Sequence, residues 1–242
     1  MFKATLPCVL FLAASSPVSG DTLYQSEHPT PAQAAGFVPP NTIGLGSPTA
    51  FFDDAVINPA QNPSAYTQFV VTKLTIGMFR NPGAPATTVS FHAAEIGVNP
   101  DFNLYALQTI GSVSLPARSI TAPAINTLIS IGDGVKPIAT IVGDTTWHFN
   151  GQVGVALGVS MTGNTAQQGW TLSPGALLGD NDPLYVAAYN LNTAVQSPVS
   201  FPNGLPGIMD FRVEGYAIPS PSAAALGLAF FKRRRRASTN AR

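Results

Sequence analysis

Three histidines, His28, His92 and His148, are the side chains best suited to proton transfer or metal ligation in this 242-residue chain. None stands at the His-x-x-x-His spacing that would set two imidazoles on one helix face. His28 falls in a Pro-rich stretch. His92 and His148 fall in strand-like ones, where a hydrogen-bonded structural histidine is the ordinary occupant. Acyl transfer needs a nucleophile, a base and an orienting group brought together. Serines are numerous, but no Gly-x-Ser-x-Gly elbow is present. Glycoside hydrolysis needs two carboxylates across a cleft, and no spacing among Glu27, Glu95, Glu214 and the nine aspartates selects such a pair. A secreted hydrolase is therefore carried only as an alternative.

Oxygen donors cluster twice, in Asp53-Asp54 and in Asp180-Asn181-Asp182. Calcium takes 6–8 hard oxygen ligands, so Asp53, Asp54, Asp180 and Asp182 form a candidate metal set if both clusters lie in loops. The same residue types also end strands and shape turns by bonding their own backbone, and both readings stand. Trp170, in the polar stretch Thr165–Trp170, is a candidate stacking platform for a sugar ring. Trp147 reads as a core or core-edge residue. Calcium-assisted carbohydrate binding is the second functional alternative.

The elements that must position these residues read as strands. Tyr66 to Arg80 partly alternates between apolar and polar residues, with a slip of phase near Thr72-Lys73 that predicts a bulge. Asn81-Pro82-Gly83-Ala84-Pro85 reads as the turn of a hairpin, with Thr87–Ile96 as its second strand. Further strands are expected at Ser112–Leu115, Thr127–Ile131, Ile138–Val142, Thr145–Phe149, Gln152–Met161, Leu184–Tyr189 and Met209–Tyr216. Asp133-Gly134 is a turn signal, and no long stretch carries a helical apolar stripe. Many short strands between turn signals favour an all-β fold, an antiparallel β-sandwich with the jelly-roll as its more specific form.

Composition agrees. Charged residues are 10% of the chain, hydrophobic residues 45%, and Gly and Pro number 22 each. The formal net charge of zero conceals a segregation. Between residues 21 and 218 five bases face twelve acids, a net of −7, while Lys232, Arg233, Arg234, Arg235 and Arg236 form one block. An acidic body argues against nucleic acid as its partner. The only cysteine is Cys8, so a chain processed after residue 20 has no disulfide and no thiol chemistry.

The ends carry the clearest signals. Lys3 precedes an apolar run, then Pro17 and the small residues Val18 and Gly20. This is the pattern of a secretory signal peptide cleaved between Gly20 and Asp21. At the other end Pro219-Ser220-Pro221 is followed by the apolar stretch Ser222–Phe231 and the basic block Lys232–Arg236. Such a segment enters a membrane while the bases stay on its cytoplasmic side. This tail resembles the PEP-CTERM sorting signal, here as a Pro-Ser-Pro variant, whose motif precedes a short transmembrane helix and an arginine cluster. The body resembles ectodomains carried by that group at Phe52-Asp53-Asp54, at Val71–Gly77 with Pro82–Pro85, and at Asp180–Asp182 with Leu184–Val186. The resemblance implies recognition by an exosortase-type processing enzyme and transfer to the cell surface or an exopolysaccharide matrix. It also implies an all-β extracellular domain of unassigned activity.

The expected organisation is a signal peptide at 1–20, an extended Pro/Gly-rich segment at 21–49, a β-sandwich ectodomain at 50–217 and a sorting and anchor tail at 218–242. The expected function is that of an exported, non-enzymatic surface or matrix protein of a bacterium. Its partners would be an exosortase-type enzyme, the membrane through the tail, and extracellular polysaccharide.

Overall fold

β-branched and aromatic residues set between Gly and Pro favour backbone pairing in ladders over helices. In the computed structural model every regular element is a strand among the residues described: 20–28, 35–37, 49–62, 66–96, 104–143, 153–162, 167–180, 186–199 and 208–218. In chain order these are β1 (Asp21–Ser26), β2 (Ala35–Phe37), β3 (Thr49–Val56), β4 (Gln68–Arg80), β5 (Thr87–Ile96), β6 (Leu104–Leu115), β7 (Ile125–Gly132) and β8 (Ala139–Val142). They are followed by β9 (Gly154–Met161), β10 (Gln168–Ser173), β11 (Ala176–Leu178), β12 (Val186–Asn190), β13 (Gln196–Val199), β14 (Ile208–Met209) and β15 (Phe211–Ala217). The signal segment before Gly20, the sorting motif, the expected C-terminal helix, the basic block, His148 and Trp147 lie outside the described residues.

Two antiparallel sheets form a sandwich. Sheet A runs β11-β1-β15-β4-β10-β14, with β2 on β10 and β7 and β8 also on β4; sheet B runs β13-β12-β3-β9-β5-β6. Alternate residues of facing strands fill the space between them, with Phe51, Phe91 and Leu157 from sheet B meeting Leu74, Trp170 and Phe211 from sheet A. A second apolar cluster, including Phe52, Ile96 and Ala187, covers the outer side of sheet B.

β4 is the spine of sheet A. One of its edges pairs with β15, while β7 and β8 lie end to end along the other. The expected slip at Thr72 is a bulge: Glu214 sits opposite Lys73 and Gly215 opposite Val71, leaving Thr72 without an opposite residue on β15. On the other edge the ladder breaks at the same level, between the Lys73–Gly132 and Val71–Ala139 pairs. The turn filling that gap is built on Asp133, whose Oδ1 accepts N–H bonds from Val135 (2.9 Å) and Lys136 (2.8 Å).

Two expectations are corrected. β4 and β5 are not a hairpin, because β4 lies in sheet A and β5 in sheet B, paired with β6 and β9. The 81–86 connection carries Pro82 and Pro85, which lack the N–H needed for a tight ladder turn, and it crosses between the sheets. The segment after residue 20 is not separate from the sandwich. β1 lies between β11 and β15, and Leu23 and Tyr24 are buried in the core.

Sheet A forks where β4, β10 and the β14–β15 segment meet. β15 pairs with β4 as far as the Phe211–Ile76 pair, β10 pairs with β4 from Met78 onward, and β14 pairs with β10. Asp210 stands in the fork: its carbonyl accepts Gly77 N–H at 2.8 Å and its N–H donates to Thr171 O at 3.1 Å. Gly77 is required by space, since a Cβ there would lie 2.0 Å from Asp210 Oδ2. Gly77→Ala is expected to destabilise the fold by about 2–3 kcal/mol. In an Asp210→Gly background the same substitution should cost at least about 1 kcal/mol less. A urea-unfolding double-mutant cycle checks this, and additive penalties would refute the clash.

Candidate functional site

Asp210 gathers the densest polar cluster described. Met209 and Phe211 face the core, so alternation turns Asp210 to the outer side of sheet A. Ser26 Oγ lies 3.2 Å from Asp210 Oδ1 and 3.0 Å from Phe211 O, and accepts Phe211 N–H at 2.7 Å. His28 Nδ1 is bonded to Asp210 Oδ2. The carboxylate is 4% exposed and the imidazole 39%, so a buried acid is clasped by a half-open base. Burial raises the Asp210 pKa, against the bonds from His28 and Ser26 that lower it.

Ser, His and Asp are the residue types of a nucleophilic triad, but their order here is different. A triad sets the hydroxyl on the imidazole and the carboxylate behind it. Here hydroxyl and imidazole both sit on the carboxylate, and the hydroxyl is spent on the Phe211 backbone. The cluster therefore orders β1 against β15 and does not activate Ser26. His28 reads as part of a loose segment in the sequence, yet it lies directly after β1 and two residues beyond Ser26. Its pairing with a residue 182 positions away has no local signal.

Of the expected metal residues, Asp53, Asp54 and Asp180 are among those described. Asp53 and Asp54 are adjacent in β3, not in a loop, and each is 1% exposed. Neighbouring strand residues point to opposite faces: Phe51 and Ala55 place Asp53 toward the inter-sheet core, Phe52 and Val56 place Asp54 outside it. Asp53 Oδ2 accepts Met209 N–H at 2.6 Å, tying sheet B to the fork in sheet A. The two acids cannot share one ion. Asp180 is exposed and its backbone pairs with Val56, and Asp182 lies outside the described residues. Among the described residues no three His, Cys, Asp or Glu side chains group together as metal ligands.

Trp170 is also misplaced by its polar surroundings. It lies within β10, opposite Met78, and is 0% exposed in the central core. With Leu172 it forms the inward face of a strand, so it offers no ring face to a sugar.

His92 faces the outer side of sheet B and is 2% exposed. Nδ1 bonds Thr109 Oγ1 (3.1 Å), Nε2 bonds Ser160 Oγ (2.9 Å), and the ring packs 6.1 Å from Phe52. It is the hydrogen-bonded structural histidine its strand context suggests. Burial lowers its pKa to about 4.

No family model and no curated protein matches the chain. A solved structure of infectious bursal disease virus, Gt strain, is similar at 11% identity with a TM-score of 0.26. That match covers 98% of this chain, which spans about half (53%) of the viral one. A likeness this slight carries no argument about function.

The depressed pKa of His92 sets a pH dependence. The unfolded state takes up a proton near pH 6.5 and the folded state only near 4, so the stabilisation is fully present above 6.5 and is lost as pH falls toward 4. Urea unfolding at pH 7 and pH 4.5 should differ by about 2–3 kcal/mol from this residue. His92→Gln should remove that share of the difference, and an unchanged acid limb would contradict the assignment.

Proposed function

We propose that this chain is an exported bacterial surface or matrix protein. Its β-sandwich is a non-enzymatic extracellular domain, and its C-terminal tail is a sorting signal and membrane anchor. The observation that carries the reading is the pairing of the two ends: a signal-peptide pattern through Gly20, and Pro219-Ser220-Pro221 followed by an apolar stretch and Lys232–Arg236. The processing partner is an exosortase-type enzyme acting near the Pro-Ser-Pro motif. The destination is the outer surface or an exopolysaccharide matrix.

Features of the body fit that reading. β1 begins at Asp21, directly after the expected cleavage point, so processing would leave the strand whole. β15 ends at Ala217, directly before the motif region, so the tail can be bound or cut without entering the sheet. The Ser26–Asp210–His28 cluster is engaged in holding β1 against β15, in keeping with a scaffolding role for the body.

Two measurements check the proposal. The mature protein should begin at Asp21 when sequenced from its N-terminus, and a chain retaining Met1 in the native cell would refute export. Deleting residues 219–242 should move the protein from the envelope fraction to the medium. Unchanged fractionation would refute the sorting role of the tail.

A further inference from the structure

A buried cation without an anion beside it is costly, because desolvation disfavours the charge unless a counter-ion or full hydrogen bonding offsets it. Arg80, at the end of β4, is 4% exposed. Its Nε donates to Gln168 Oε1 at 3.3 Å, and its Nη2 donates to Pro85 O and to Pro116 O at 2.8 Å each. Nη1 donates to none of the described residues. Burial lowers the Arg80 pKa and the neighbouring Arg118 cation lowers it further. Arg118 donates through Nη2 to Pro123 O, while its buried Nε–H meets no acceptor among the described residues. Neither guanidinium forms an ion pair with a described carboxylate.

Both arginines belong to one knot at the end of the sandwich. Arg118 N–H donates to Ala84 O at 2.8 Å and Gly83 N–H to Ser119 O at 3.1 Å, fastening the 81–86 crossing to the 116–124 connection. Neither stretch contains Asp or Glu, so two of the five bases of the body meet where no acid lies along the chain. Screening over about 8–10 Å makes this local excess matter more to a bound group than the net −7 of the body. Ile120, 82% exposed, stands beside Gly83 in the same knot and adds an apolar surface to the cations.

We propose that this knot binds an oxyanionic substituent, carboxylate or sulfate, of an acidic polysaccharide. The donors are the Nη1 groups of Arg80 and Arg118, which bond none of the described residues and, unlike Arg118 Nε, are not buried, and Ile120 supports the C–H face of the sugar. Charge-assisted N–H bonds from two neighbouring guanidiniums suit such groups, because each cation can donate to one oxygen of a carboxylate or sulfate. The inference rests on the matrix reading above and supplies it with a ligand class.

The test is the thermal midpoint of the full-length chain with oligogalacturonate, a sulfated dextran oligomer, a neutral maltooligosaccharide or inorganic sulfate. Arg118→Gln keeps the basic tail, so the part of a midpoint shift that this variant loses reads the site at the knot and not polyanion binding by the tail. Oligogalacturonate, the sulfated oligomer or both should raise the midpoint by about 3–5 °C at ten times Kd. The neutral sugar should not. Arg118→Gln should abolish the rise, Arg118→Lys should reduce it, and Arg212→Gln, at an arginine paired with Glu214, should leave it intact. No rise with either acidic oligomer, an equal rise in Arg118→Gln, or an equal rise with inorganic sulfate alone would overturn the proposal. Fractionation of the tail deletion is read separately, so a correctly sorted chain without a midpoint shift sinks this inference and leaves the sorting reading in place.

Discussion

Three consecutive backbone N–H groups, those of Met209, Asp210 and Phe211, go to three different strands. Met209 donates to the Asp53 carboxylate in sheet B, Asp210 to Thr171 O in β10 and Phe211 to Ser26 Oγ in β1. A fork in a sheet interrupts the ladder, and a buried backbone group left unbonded costs free energy comparable to a lost hydrogen bond. The partners of these three groups therefore fix how β1, β3, β10 and β15 sit relative to one another. Gly77 completes the arrangement by omission, since any side chain there would occupy the place of the Asp210 carboxylate.

This constraint explains why acids that look like ligands serve as framework. Asp53 and Asp210 flank the same two-residue strand, β14, one from the inter-sheet core and one from the outer face. Each is nearly inaccessible to water, and each is engaged by donors from elements distant in sequence. A buried polar group bonded in this way specifies one pairing of strands over its neighbours, because a slip of one residue would strand it in the wrong layer. His92 is held in the same manner on the far side of sheet B, between Thr109 and Ser160.

Period-two patterning and turn chemistry made part of this legible. The β4 alternation, its slip at Thr72, the Asp133-Gly134 turn and the all-β class follow from residues near one another in the chain. What was not legible depends on burial that no local pattern encodes. Phe52-Asp53-Asp54 reads as a loop because two acids interrupt it, yet both are buried within a strand whose neighbours supply the satisfaction. The stretch ending at Trp170 reads as polar because Gln167 and Gln168 precede the tryptophan, although Trp170 and Leu172 form an inward face of β10. The 81–86 connection looks like a hairpin turn, and only its crossing between sheets brings Arg80 and Arg118 together. The Asp210 cluster joins residues from opposite ends of the body and had no sequence signature.

β1 and β15 are adjacent and antiparallel, with Asp21 opposite Gly215, so the chain enters and leaves the sandwich at one end of sheet A. β15 is also flanked on its other side by β4. Ladder hydrogen bonds lie across the strand direction, so traction applied through residue 218 along β15 strains the bonds to both neighbours together instead of unzipping them one by one. A domain held at this end is thus loaded in shear, the geometry that lets a sheet carry mechanical tension before it yields.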